Sequence, residues 1–165
     1  MGAVRAGTDQ SDEAALAEIA NALADAVESA LPGWVERSVA RLVMAHQGTV
    51  DDSVAVAAGE AGERAAVEVG GEIRALLATD VDRQRSNPLA MLRRAVCYPT
   101  EVLRDAGVPP VARSAFDERA FPDDIYGLTP ATWSDVDPTL LDPGVTWGAA
   151  KAHVVLSRRR KEGKR

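Results

Sequence analysis

Eight of the nine prolines in this 165-residue chain lie after residue 80, and only Pro32 falls before it. Proline has no backbone N–H, and inside a helix its ring meets the carbonyl four residues back. Long helices are therefore open to the first half, and the second half is restricted to short elements joined by turns. No run alternates with the period of a strand, and no repeat of solenoid length is present. The chain reads as all-α.

In the first half, residues 1–10 have no apolar pattern and are expected to be disordered. Ser11 is a good helix N-cap, with Asp12 and Glu13 in the first turn, where acids complement the helix dipole. Leu16, Ile19, Leu23, Val27 and Ala30 then recur at spacings of three and four, the stripe of an amphipathic helix. Leu31-Pro32-Gly33 predicts its end. A second stripe of Val35, Val39, Leu42, Val43 and His46 runs to Gly48, so the short link predicts an antiparallel helical hairpin with Trp34 plugging its turn. Thr49 and Asp52 have capping-box spacing before a long third helix carrying Val54, Ala58, Ala61, Ala65, Val69, Ile73 and Leu76. Gly59, Gly62 and the Gly70-Gly71 pair weaken that helix by up to about 1 kcal/mol each but let a neighbour approach closely. The expected N-terminal unit is thus three helices over residues 11–79, and its small-residue face makes a homo-oligomer one candidate assembly.

Residues 80–157 read as short helices and proline turns packed on that unit in the same domain. Asn87 caps and Pro88 takes the first helical position, ahead of Leu89, Met91, Leu92, Val96 and Cys97. Tyr98-Pro99-Thr100 is read as an interruption, Gly107 as a C-terminal stop, and Val108-Pro109-Pro110-Val111 as an extended connector. Ser114 and Asp117 form a capping pair for a segment reaching Phe121. Thr129-Pro130 and Asp137-Pro138 repeat the cap-then-proline signal. Thr146 opens the last helix, with Trp147, Ala150 and Val154 inward, and residues 158–165 form a basic tail.

Chemistry is constrained by inventory. Two histidines and one cysteine give no CxxC, HExxH or HxH spacing, and no serine sits in a nucleophile elbow. Cys97, beside Val96 on an apolar face, is expected to be buried and inert. His46 reads as a packing or dipole residue at a helix end. The glycine pairs sit in helical patterns and do not form a phosphate loop. No cofactor is expected. A lone cysteine excludes an internal disulfide, and no apolar run approaches a membrane span, so a soluble cytoplasmic protein without membrane contact is expected.

Two features remain as candidate interaction surfaces. Phe116, Phe121, Tyr126 and Trp133 are interleaved with acids, among them Asp117, Glu118, Asp123 and Asp124, which could instead hold a metal ion or act as acid and base. Net charge is −6, yet Lys151, Arg158, Arg159, Arg160, Lys161, Lys164 and Arg165 oppose only Glu162 in the last fifteen residues. That basic end suits a helix C-terminus, and it could also dock on an anionic partner. The function expected is a non-enzymatic interaction or regulatory protein acting through contacts with a protein partner. The alternatives are a nucleic-acid- or ribosome-associated factor docking through the tail, and a small metal-dependent enzyme or binder using the acidic 117–124 cluster.

Overall fold

The computed structural model of the chain describes residues 3–79, 87–128 and 133–164, with side chains from Ser11 onward. All regular structure among them is helical. The first half contains two helices rather than three. Helix α1 runs from Ala3 to Gln47 with Pro32 inside it, and α2 runs from Asp52 to Leu77. Residues 3–10, expected to be disordered, are the first turns of α1.

The continuity of α1 through Pro32 corrects the expected hairpin, and its cause lies in phase. Val27, Leu31, Val35, Val39 and Val43 are spaced by four and are each at most 1% exposed. A helix broken at Pro32 would separate that stripe into two. Keeping it whole buries five aliphatic side chains worth about 1.5–3 kcal/mol apiece, against about 3 kcal/mol for an interior proline. Trp34 is buried mid-helix instead of plugging a turn. The reversal comes at Gly48, whose φ of 78° places it in the left-handed region and whose N–H donates to the Met44 carbonyl at 2.9 Å. The N-cap of α2 is Asp51, so the Thr49–Asp52 capping pair does not form. His46 is exposed in the last turn of α1, in keeping with the dipole role.

Helix α2 returns along α1, and its small residues make the contact. A Cβ on Gly62 would lie 2.9 Å from both Cα and the carbonyl oxygen of Pro32, so the two backbones nearly touch there. Ala58, Ala61 and Ala65 are buried beside it. The small-residue face is thus filled by α1 of the same chain. At the far end Arg74 spans the pair, its Nε and Nη2 donating to the Glu28 carboxylate at 2.9 and 2.8 Å, and it also bonds Asp25.

The second half wraps this pair. Helix α3 (Pro88–Arg93) is capped by Asn87, which accepts the Leu89 N–H at 2.9 Å. A 3₁₀ turn at Arg94–Val96 leads into α4 (Cys97–Asp105), which packs on α2 and α1. Pro99 does not interrupt α4, because it sits in the first turn where no donor is needed. Gly107, at φ 77°, closes α4 with a Schellman motif: its N–H reaches the Arg104 carbonyl and the Val108 N–H reaches that of Leu103, each at 3.0 Å. Helix α5 (Ala115–Ala120) is capped by Ser114 through the Asp117 N–H. Helix α6 (Trp133–Val136), a 3₁₀ turn at Pro138–Leu140 capped by Asp137, and α7 (Leu141–Glu162) complete the chain. The last helix starts ahead of the expected Thr146, with Pro143 tolerated in its first turn. The Thr129-Pro130 signal lies outside the described residues. Helix α7 lies along α1, and Gly144 lets the Trp133 indole press against its backbone. Among the described residues no helix is long and apolar enough to cross a membrane.

The backbone contact at Gly62 and the open space around Gly71 give opposite expectations for one chemical change. Gly62→Ala forces the helices apart and should destabilise by about 1–3 kcal/mol. Gly71→Ala meets nothing within 4 Å and should stabilise by up to about 1 kcal/mol. Urea denaturation of both variants checks this, and equal effects would contradict the packing.

Candidate functional site

The four aromatics of the acidic segment separate into two pairs. Tyr126 is 2% exposed and its hydroxyl donates to the Val108 carbonyl at 2.6 Å, while Trp133 is buried against Gly144. Both belong to the core, so neither is a surface contact. Phe121 is half-buried, with the Arg93 guanidinium 5.3 Å from its ring centroid. Phe116 is 67% exposed, on a helix none of whose residues is buried.

The loop that carries Phe116 is braced from several directions. The Val111 N–H donates to the Ile125 carbonyl at 3.1 Å, which pairs the two arms of the loop. Arg113 crosses it, Nη1 to the Phe121 carbonyl at 2.7 Å. Asp124 is buried and accepts the Leu128 N–H at 2.7 Å, and Asp117 accepts the Ser114 hydroxyl at 2.8 Å. Those two acids organise the loop, while Glu118 and Asp123 face solvent. Among the described residues no group of three or more His, Cys, Asp or Glu side chains is placed to hold a metal ion.

A cleft opens beside this loop, between α2, the α3–α4 segment and residues 120–125. It has two lobes of about 400 and 780 Å³ that share Cys97, Pro122 and Asp123. Arg93, Arg94 and Phe121 line the smaller lobe; Glu68, Tyr98, Thr100, Glu101 and Arg104 help line the larger. Some of its charges are paired: Arg64 with Glu101 at 3.2 Å, Arg94 with Glu72 of α2 at 2.7 Å, and the Tyr98 hydroxyl on Glu68. Partial burial and then the bond to Glu68 push the Tyr98 hydroxyl far above its ordinary pKa.

Cys97 is exposed in this cleft, contrary to the burial expected from its neighbour Val96. Its spacing gives the reason: Cys97, Glu101 and Arg104, at i, i+4 and i+7, share the outer face of α4 and are all exposed, while Val96, Val102 and Leu103 face the body. Desolvation, and then the nearby Glu101 and Glu68 carboxylates, raise the thiol pKa. No histidine lines either lobe: His153 is exposed on α7 and His46 at the end of α1. What the cleft presents is a surface of mixed charge with an aromatic shelf, without a thiol–imidazole pair.

The basic end is the last turns of α7. Arg158 pairs with Glu13 of α1, while Arg159, Arg160, Lys161 and Lys164 are exposed; Arg165 lies outside the described residues. Comparison of the chain with protein-family models, with curated proteins and with solved structures finds no match.

The surroundings of Cys97 predict its reactivity. A raised thiol pKa leaves less thiolate at a given pH, so maleimide coupling near pH 7.5 should be slower than for glutathione despite the exposure. Glu101→Gln removes one source of the shift and should speed the reaction. Coupling faster than glutathione would contradict this environment.

Proposed function

We propose that the chain is a non-enzymatic protein-interaction module whose principal contact is the braced α5 loop, with Phe116 as its anchor. The observation that carries this reading is an aromatic side chain 67% exposed on a loop fixed by hydrogen bonds on both arms. Burying such a side chain in a partner's pocket returns about 1.5–3 kcal/mol. Because the loop is already ordered, little of that is spent on fixing it, about 0.5–1.5 kcal/mol per immobilised side chain being the usual cost. Aromatic anchors of this kind dominate protein interfaces. The neighbouring cleft, with Arg93 over Phe121 and the alternating charges of α4, supplies polar contacts that fix orientation more than strength. The matching partner surface is a protein pocket shaped for a phenyl ring. The single free thiol supports a reducing, cytoplasmic setting.

Site-specific photocrosslinking tests the reading. A benzophenone side chain at position 116 should give one discrete protein adduct in cells. The same group at position 67, where Val67 is 76% exposed on α2, should not. Identical adduct patterns at the two positions, or none at either, would overturn the proposal.

A further inference from the structure

Helix α7 has two apolar faces, and the fold covers one. Gly144, Trp147 and Val154 are buried on the side that meets α1 and Trp133. At 100° per residue, Leu141, Val145, Ala149, Ala152 and Leu156 fall within about 80° of arc on the other side. All five are exposed, Leu141, Val145 and Leu156 at 50%, 62% and 53%. Scattered exposed aliphatics need no explanation, but a stripe held in register over four turns is, among the described residues, a face without a partner. Near its middle, the space where Gly148 would carry a Cβ is empty to 4 Å.

The charges bordering the stripe select what fits it. Asp142 stands at one end and Arg159 and Arg160 at the other, all exposed. Asp142 and Arg160 share one flank, since eighteen residues make five whole turns of an α-helix. We propose that this face pairs antiparallel with the same face of a second copy of the chain. A twofold axis passing between Ala150 and Lys151 sets Val145 against Leu156 of the second copy and Ala149 against its Ala152. The same axis sets Asp142 opposite Arg159 and Arg160 of the second copy, and symmetry repeats each contact. The small central pair lets the helices close, and the larger residues fill the ends. A parallel pair would instead stack the arginines of both copies on one another. The pairing is separate from the α5 loop and does not depend on it.

Sedimentation velocity of the full chain, from low to high micromolar, tests the pairing. The expected result is a reversible dimer that Val145→Asp converts to monomer with an unchanged far-ultraviolet circular dichroism spectrum. Charge exchange then tests the register. Asp142→Arg alone and the double change Arg159→Asp with Arg160→Asp alone should each weaken association, and mixing the two variants should restore it. A monomer at every concentration would overturn the proposal. So would a dimer indifferent to Val145→Asp, or a mixture no tighter than its components. None of these outcomes bears on crosslinking at position 116, so the two proposals fail independently.

Discussion

The near-contact of two backbones, Pro32 on α1 and Gly62 on α2, sets the geometry of the rest. It requires α1 to stay one helix through its proline, because only then do Val27, Leu31, Val35, Val39 and Val43 form a single buried line. It equally requires glycine at 62. The uninterrupted α1 is long enough to take α2 along one side while α7 and α6 pack on it elsewhere. Arg37 contributes to that seating, its Nη2 donating to the Val136 carbonyl at 3.0 Å. The second half consequently needs no large core of its own. Its short helices and the longer α7 borrow one from α1 and α2 through Leu92, Val102, Leu103, Trp147 and Val154, all buried.

Much of this is legible in the sequence where the signal is local. Asn87-Pro88, Ser114 with Asp117, Asp137-Pro138 and the glycine at 107 act as their side chains and φ preferences dictate, because caps and turns depend on a few neighbouring atoms. The all-α class is legible for the same reason, being the sum of many local periods. What misleads is a local rule opposed by tertiary packing. Pro32 reads as a stop, although the four-residue spacing of the valines and Leu31 continues across it in phase. Cys97 reads as buried from its neighbour Val96, although its spacing of four and seven to Glu101 and Arg104 puts it on the polar face of α4. Of the candidate surface, Phe116, Arg159, Arg160, Lys161 and Lys164 are legible as exposed, whereas Tyr126 and Trp133 look alike in sequence and are core. Their burial depends on distant partners, Val108 and Gly144.

The frame also bears on the proposed interaction role. The elements that depart from the packed body are the α5 loop and the outer face of α7. The first is held rigid by hydrogen bonds within itself, and the second by a helix whose inner face is anchored on α1. Ordered surfaces can bind without first paying for their own ordering. The cleft beside the α5 loop, between α2, the α3–α4 segment and residues 120–125, carries two internal ion pairs, Arg64 with Glu101 and Arg94 with Glu72.

The continuity of α1 is the claim on which the α1–α2 frame and the placement of both surfaces rest. Pulsed electron–electron distance measurement tests it directly, with spin labels at Glu18 and His46, both exposed, in a Cys97→Ser background. A single helix through Pro32 places those two backbones about 42 Å apart. A hairpin turning at Pro32 would bring them side by side at roughly 10 Å, the spacing of packed helices, and that result would contradict the account.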